Sequence, residues 1–436
     1  MKPNGLLVSV AVLAVLGGLV WWSNKKQDAS AKTTDKTTKI LSIPDDQFQE
    51  IRIQKVTGEV QDLKRENGTW QMTEPKALPA DQDAAGSMVS NLGSLNADKV
   101  VEEKATDFKP YGLATPTLDI RVKRTNGKTS DLLIGDDTPT GGASYARLKG
   151  DPRVFTIASY VKSSLDKTDN DLRDKRLMTF DQDKISRVEL QAKGQSMEFG
   201  KTGGTNSEWQ ILKPQPLRAD GSTIDTLVGK LKDAKMDLTG TPEEPAKKFA
   251  AAQKVAVATV TDPSGNQSIE VRRDKDKNAY AKSSTVAGIY KVDSSLADAM
   301  DKSVDDFRNK KLFDFGFSDP TKVELKNVTY TKSGDKWMCG AKPMDNGTVQ
   351  DLIDKLRDLS ATKFATKGGG NPVFEAGVTS NDGKRVEKIT ILQQGSQYFA
   401  QRANEPSIYE LDGKTVGDLQ KTAAAVKEAP TAPKKK

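Results

Sequence analysis

Three aspartates recur at equivalent places in the chain, and carboxylates are the side chains best suited to acid–base chemistry here. Asp81, Asp220 and Asp345 each directly precede a segment with helical spacing of apolar residues. Paired with Asp83 or Asp225, they could act as a general acid and base. A carboxylate before a helix also accepts hydrogen bonds from the free amides of the first turn, which typically contributes about 1 kcal/mol. Because the aspartate recurs in every copy, we interpret all three as helix caps.

Recurring tryptophans and arginines are two further candidate binding groups. Trp70, Trp209 and Trp337 could stack on sugar rings, but an indole that recurs inside an alternating strand more often belongs to the core. Arg173 and Arg308 could bind an anion or a carboxylate of a partner. We interpret Arg173 as pairing with a nearby acid such as Asp171 or Asp174, or as tethering the linker between repeats.

The composition excludes several classes of chemistry. The chain has 436 residues, no histidine and one cysteine, Cys339. Without histidine there is no Ser-His-Asp or Cys-His nucleophile and no His-ligated zinc. One cysteine allows neither an intramolecular disulfide nor a thiolate cluster. The glycine-rich stretches lack the Gly-Lys-Ser/Thr ending of a phosphate-binding loop. We therefore predict no catalytic, cofactor-binding or metal-binding residues, no cofactor, and a protein that is not an enzyme.

The net charge of +7 belongs to the two ends of the chain. Residues 1–39 carry six lysines against two aspartates, and residues 427–436 carry four lysines against one glutamate. The residues between them are neutral overall. A nucleic-acid-binding domain normally concentrates positive charge on one face, so we predict no nucleic-acid partner.

An uncharged apolar segment near the N-terminus predicts a membrane anchor. Leu6–Trp22 reads LLVSVAVLAVLGGLVWW, and roughly 17 to 25 such residues span a bilayer. Ala29-Ser30-Ala31 resembles a signal-peptidase site, but it lies far beyond the apolar run, so we favour an uncleaved anchor. The lysine-rich flank argues for a cytoplasmic body. Long domains, however, translocate largely regardless of flanking charge, and we place the body outside the cytoplasm.

One pattern occurs three times in the rest of the chain. Each copy has a tryptophan in a strand, a proline five or six residues later, a helical segment, a hairpin turn ending in glycine, and a strand containing tyrosine and alanine. The tryptophan and the hairpin glycine are 57, 56 and 46 residues apart, so the third copy is shortened. Each copy predicts a β-meander, a helix, a second β-meander and a closing helix. This is an α+β fold of tandem repeats after one N-terminal transmembrane helix.

These patterns also divide the chain into segments. The predicted boundaries are residues 1–24 for the membrane anchor, 25–45 for a polar tether, 46–182 for the first repeat, 183–318 for the second repeat, 319–423 for the shortened third repeat, and 424–436 for a disordered basic tail.

The order of the motifs carries a family resemblance. The motifs are the repeated W-x-[IM]-x-x-P…AD units, a Y-G-L-x-x-P element from Tyr111 to Pro116, an I-G-D strand end at Ile134 to Asp136, and L-R-D-K-R-L from Leu172. Together they resemble the bacterial family catalogued as domain of unknown function 4340, over roughly residues 40–320 and less fully in the third repeat. The second repeat lacks the Y-G-L-x-x-P element. Members of that family are often encoded beside ABC transporters, so the resemblance implies an envelope-facing accessory role and no catalytic residue.

Residue patterns and resemblance together predict a function without catalysis. The expected protein is a single-pass protein of the inner (cytoplasmic) membrane with a periplasmic body. It acts as a scaffold or accessory subunit of an envelope complex, with ABC-transporter subunits as the expected partners. The alternative is a glycan- or lipid-binding module of the cell envelope. That alternative requires Trp70, Trp209 or Trp337 to line a groove open to solvent.

Overall fold

The structure, a computed structural model, describes residues 38–202, 208–315 and 320–430. These residues form three antiparallel β-sheets of nine, eight and nine strands. The chain divides into two compact units, Met1–Lys175 and Arg176–Lys436. The first unit contains one sheet, and the second unit contains the other two.

The first sheet has the strand order β4-β3-β2-β1-β6-β7-β8-β9-β5. Its elements in chain order are β1 (Phe48–Lys55), β2 (Val60–Glu66), β3 (Thr69–Glu74), β4 (Leu78–Pro79), α1 (Gln82–Gly93), β5 (Lys99–Glu102), β6 (Leu118–Arg124), β7 (Thr129–Asp137), β8 (Ala143–Leu148), β9 (Val154–Ala158), α2 (Ser159–Leu165) and α3 (Asp169–Leu172).

The second sheet has the order β13-β12-β11-β10-β14-β15-β16-β17. Its elements are β10 (Arg187–Ala192), β11 (Gln195–Lys201), β12 (Trp209–Lys213), β13 (Leu217–Arg218), α4 (Gly221–Lys232), α5 (Glu244–Ala251), β14 (Gln253–Asp262), β15 (Gly265–Arg273), β16 (Ala279–Ser283), β17 (Ile289–Val292) and α6 (Ser294–Met300).

The third sheet has the order β21-β20-β19-β18-β23-β24-β25-β26-β22. Its elements are β18 (Lys322–Leu325), β19 (Val328–Ser333), β20 (Lys336–Cys339), β21 (Lys342–Pro343), α7 (Asn346–Arg357), β22 (Lys363–Ala365), β23 (Asn371–Ser380), β24 (Arg385–Gln394), β25 (Gln397–Arg402), β26 (Ile408–Leu411) and α8 (Gly413–Ala424). Single 3-10 turns lie at Asp45–Gln47, Lys109–Tyr111, Gln182–Lys184 and Val304–Asp306.

A helix covers one face of each sheet because its apolar residues recur every three or four positions. In α4 these residues are Ile224, Leu227, Val228 and Leu231, all of which are buried. They share one core with alternate residues of the second sheet's strands. The first and third sheets have separate cores of the same design beneath α1 and α7.

The predicted α+β class is wrong, because the sheets dominate. Strands make up 43% of the structure and helices 22%. The sequence patterns predicted two meanders in each repeat but not the strand pairing between them. In the structure β1 pairs with β6, β10 with β14 and β18 with β23. These pairings join both meanders into one continuous antiparallel sheet, and the helices only cover it.

The predicted transmembrane helix has no counterpart in the described part of the chain. Across residues 38–202, 208–315 and 320–430, every helix is too short or too polar to cross a bilayer. The predicted anchor, Leu6–Trp22, lies outside the described residues. The end of the predicted tether belongs to the first sheet's core, where Ile40, Leu41 and Ile43 are buried.

Each sheet holds its two flanking chain segments in the same way. The segment that precedes each repeat forms a β-bridge with a residue just beyond the helix that covers the sheet, which is α1, α4 or α7. These bridges are Lys39–Asn96, Arg176–Lys235 and Lys311–Ser360. The segment that follows a repeat forms a bridge just before that helix, and these bridges are Ala80–Arg173, Ala219–Arg308 and Met344–Glu428. Residues 425–430 are therefore a counterpart of the linkers, and they lie within the predicted tail. Residues 431–436 lie outside the described residues.

Candidate functional site

The three recurring aspartates are helix N-caps. An Asp81 carboxylate oxygen accepts hydrogen bonds from the backbone N–H groups of Asp83 at 3.0 Å and Ala84 at 3.1 Å. Asp220 and Asp345 accept the corresponding bonds from Thr223 and Thr348, each at 3.1 Å. The capping interpretation is confirmed, and the carboxylates are already committed to free backbone amides.

Replacing Asp81 with alanine should lower the free energy of unfolding by about 1 kcal/mol, because two amides of the first turn lose their acceptor. The measurement is the urea midpoint multiplied by the slope of the transition. Asp81→Asn is the matched control, since asparagine caps helices as well as aspartate does. A loss of the same size in both variants would show that the charge, and not the cap, stabilises the helix.

The three recurring tryptophans lie in the cores of their sheets. Trp70, Trp209 and Trp337 expose only 5%, 7% and 5% of their surface. The core interpretation is confirmed. These indoles do not form the open aromatic platform on which a glycan-binding site would depend.

Two of these tryptophans have their main chain held by a side-chain amide from the start of the next helix. In the first repeat, Gln82 Oε1 accepts from the Trp70 N–H at 2.8 Å, and Gln82 Nε2 donates to the Trp70 carbonyl at 2.9 Å. In the third repeat, Asn346 Oδ1 accepts from the Trp337 N–H at 3.1 Å. The residue at this position in the second repeat is Gly221, which has no side chain.

A cleft of about 560 Å³ opens at this point of the second repeat. Trp209, Gly221 and Arg218 line one wall. The other wall is lined by Asp314, from the segment that leads into the third repeat, and by Glu405 of the third repeat. Both walls belong to the unit Arg176–Lys436. The Asp225 carboxylate, which could have acted as an acid–base group, instead accepts a hydrogen bond from Trp209 Nε1 at 2.8 Å.

A network of arginines and carboxylates joins the two walls. Arg218 forms an ion pair with Asp314. Arg402 Nε lies 2.8 Å from Glu405 Oε1, and Arg402 Nη2 lies 3.1 Å from Glu387 Oε1. Glu387 also accepts a hydrogen bond from the Asp314 N–H at 2.9 Å. Charge-assisted bonds of this kind are stronger and more directional than neutral ones, so the network fixes the shape of the cleft.

The charge states at the base of the cleft are stable around neutral pH. Burial lowers the pKa of Arg218, but the neighbouring Asp314, Tyr409 and Glu405 outweigh this effect and raise that pKa above its usual value. Burial raises the pKa of Tyr409; Arg218 opposes this rise and Glu405 reinforces it. The Tyr409 hydroxyl donates to Glu405 Oε2 at 2.9 Å. Arg218 therefore stays charged and Tyr409 stays neutral, which suits binding better than proton transfer.

The recurring arginines tether the linkers. Arg308 pairs with Asp305 at 2.9 Å, donates to Ser407 Oγ at 2.8 Å, and stacks 3.4 Å above the Phe364 ring. Arg308 therefore pairs with a nearby acid and connects its linker to the third repeat. Arg173 lies in the linker segment that forms a bridge with Ala80.

The comparisons with known proteins place the chain in a family. The model for the family described as domain of unknown function (DUF4340) matches residues 70–208 and 209–382. The chain belongs to the DUF4340 family. No curated protein matches it. No solved structure matches it either. The two DUF4340 matches begin at Trp70 and Trp209, which are equivalent positions in the first and second repeats.

Sequence reasoning missed the cleft of this DUF4340 protein, although one signal was present. The three aspartate caps are followed directly by Gln82, Gly221 and Asn346. Comparing the residue after each cap would have shown that the second repeat alone lacks an amide.

Within the described ranges, no group of three or more histidine, cysteine or acidic residues is arranged to hold a metal ion.

Proposed function

We propose that this protein is a non-enzymatic interaction protein of the cell envelope, which binds a polypeptide of an envelope complex in the cleft beside Trp209. One observation carries the proposal. The amide that holds the tryptophan main chain in the first and third repeats is replaced by Gly221 in the second, and a cleft lies there. Main-chain donors and acceptors are common means of binding polypeptides, and within the described ranges no side-chain amide lies on the Trp209 main chain.

The remaining repeated groups support binding over catalysis. The aspartates serve as caps and the tryptophans fill cores, so the repeats share a scaffold and differ at the cleft. The arginine–carboxylate network keeps the cleft walls together and leaves the partner to supply the missing amide.

Features of the sequence support the proposed location and partner. The uncharged segment Leu6–Trp22 has the length and composition of a bilayer-spanning helix, which supports attachment to the cytoplasmic membrane. The length of the repeats, which lets them translocate largely regardless of flanking charge, supports a position outside the cytoplasm. Members of this family are often encoded beside ABC transporters, which supports transporter subunits as the partner.

The test is co-purification of the full-length protein from native membranes in mild detergent, with mass spectrometry of the proteins that accompany it. We expect transporter subunits in fixed proportion to this chain. A chain carrying Asp81→Asn is a suitable control, because that substitution lies outside the cleft and preserves the cap. Recovery of this protein alone from both samples would contradict the proposal.

A further inference from the structure

We propose that the cleft beside Trp209 binds the primary carboxamide of a glutamine or asparagine side chain, presented by a basic polypeptide segment. This inference rests on the proposed function and specifies the chemistry that the cleft recognises. The residues of the other two repeats provide the template for it.

The main-chain groups of Trp209 face the cleft. The preceding residue, Glu208, accepts a hydrogen bond from the Thr202 N–H at 3.0 Å and donates its own N–H to Thr202 Oγ1 at 3.0 Å. The main-chain N–H and C=O of Glu208 therefore point towards β11. In an antiparallel pair, successive residues direct their N–H and C=O groups to opposite sides. The N–H and C=O of Trp209 consequently point away from β11, towards the side where the cleft opens.

An amide satisfies the same pair of groups in the first repeat. Gln82 engages the Trp70 N–H and C=O with both ends of its side chain, at 2.8 and 2.9 Å. Asn346 Oδ1 accepts from the Trp337 N–H at 3.1 Å, and Asn346 Nδ2 donates to the Asp335 carbonyl at 2.8 Å. The Trp337 carbonyl accepts instead from the Met344 N–H at 2.8 Å. The protein thus places a carboxamide against this main chain in two of its three repeats.

The second repeat has room for an amide that comes from outside. A Cβ atom built on Gly221 would meet only Trp209 Cδ1, at 3.7 Å, which is ordinary van der Waals contact. A side chain could therefore stand at this position without strain. Its absence leaves the Trp209 main chain open to the cleft of about 560 Å³.

A primary carboxamide fits these groups better than other polar groups found in the envelope. It carries a donor and an acceptor on one edge, whereas a carboxylate only accepts and an ammonium only donates. The N-acetyl group of an amino sugar is a trans secondary amide, whose N–H and C=O point in opposite directions. A whole strand would also offer both groups, but β13 already pairs alongside Gln210 and Ile211. A single side chain of the partner, unlike a whole strand, can reach Trp209 beyond the end of β13.

The charges around the cleft favour a basic segment. Four carboxylates and two guanidinium groups line it, and they are Glu208, Asp225, Asp314, Glu405, Arg218 and Arg385. This excess of negative charge attracts lysine or arginine residues beside the bound amide and repels acidic segments.

The test follows the Trp209 backbone N–H by nuclear magnetic resonance. The full-length chain, labelled with ¹⁵N-tryptophan in detergent, contains five tryptophans. The probe is the peptide Gly-Lys-Gln-Lys-Gly with N-acetyl and N-methylamide ends, so that the glutamine holds its sole primary amide. The control is Gly-Lys-Met-Lys-Gly, which has the same charge and a similar size. We expect the glutamine peptide to shift the Trp209 signal and to bind at least about tenfold more tightly than the methionine peptide.

Two glycine variants of the same helix make the test specific. Gly221→Gln should supply the amide from within, shift the Trp209 signal without peptide and abolish peptide binding. Gly229→Gln is the matched control, because a Cβ there meets nothing within 4 Å, and it should bind the peptide as the unaltered chain does. Unchanged signals of Trp70 and Trp337 report that each variant is folded.

Three results would overturn the inference. They are equal binding of the two peptides, no shift at Trp209, and undiminished binding by Gly221→Gln. The proposed function is tested separately by co-purification. A partner recovered equally with the Gly221→Gln and Gly229→Gln chains would support an interaction protein and place the contact elsewhere.

Discussion

Replacing Arg402 with methionine should lower the free energy of unfolding of the second unit by about 3–5 kcal/mol, because the change leaves a buried carboxylate without its counter-charge. The Arg402 side chain is 11% exposed and that of its partner Glu387 is 6% exposed. Arg402 also donates to the Leu312 carbonyl at 2.8 Å. Methionine keeps the volume of the side chain but offers none of these donors. The measurement is urea unfolding followed by tryptophan fluorescence.

A double substitution separates the buried charge from the lost packing. Adding Glu387→Leu to Arg402→Met removes the uncompensated charge and should recover part of the loss, since apolar replacement of a whole buried pair is often close to neutral. The exposed pair of Arg121 and Asp131, in which the arginine side chain is 51% exposed, gives the comparison. Arg121→Met should cost no more than about 1 kcal/mol. Equal losses for Arg402→Met and Arg121→Met would show that burial of the Arg402–Glu387 pair does not make its loss more costly.

Features encoded by neighbouring residues could be predicted from the sequence. The aspartate caps and the helical spacing that begins at Ile224 each depend on residues within one or two turns of a helix. The hairpin glycines could also be predicted. Gly127 and Gly383 adopt φ values of +79° and +83°, which disfavour other residues, so glycine is expected at such turns. The cores beneath the helices follow from the same periodicity.

Features that depend on distant pairing could not be predicted. The pairing of Ile51 with Val122 joins the two meanders of the first repeat across more than one element of secondary structure. No local pattern specifies that pairing, so the large antiparallel sheets that overturn the α+β class could not be predicted. The burial of the end of the tether depends on distant residues as well. Ile40 and Leu41 follow a run rich in lysine and threonine, and their N–H groups bond to the Leu95 carbonyl just beyond α1, which places them in the core.

The cleft is the clearest case of this difference. Arg218 and Asp314 are 96 positions apart, and neither belongs to a motif that recurs in all three repeats. Gly221 marks the cleft only when it is compared with Gln82 and Asn346, because the distinguishing feature of this position is the lack of a side-chain amide. Sequence patterns identify what repeats share, whereas this candidate site lies where one repeat departs from the others.

Replacing Trp70 with alanine should lower the free energy of unfolding of the first unit by about 3–5 kcal/mol, because it leaves a cavity in a close-packed core. The indole is 5% exposed and belongs to the core cluster that contains Ile51 and Leu63. Urea unfolding gives the magnitude, and hydrogen exchange of the β2 and β6 amides identifies the sheet that is affected.

Two milder substitutions separate the contribution of indole packing from that of the hydrogen bonds between Gln82 and the Trp70 main chain. Trp70→Phe keeps an aromatic ring and the main-chain bonds to Gln82, so it should cost clearly less than alanine. Gln82→Ala keeps the indole but leaves the Trp70 N–H and C=O without their partner, which should cost about 1–3 kcal/mol. If Gln82→Ala cost nothing, water would satisfy these groups well, and an amide would gain little by binding the equivalent groups of Trp209. If Trp70→Ala cost no more than Trp70→Phe, the indole would contribute little to the core. That result would count against the core interpretation of the repeated tryptophans and return sugar stacking to consideration.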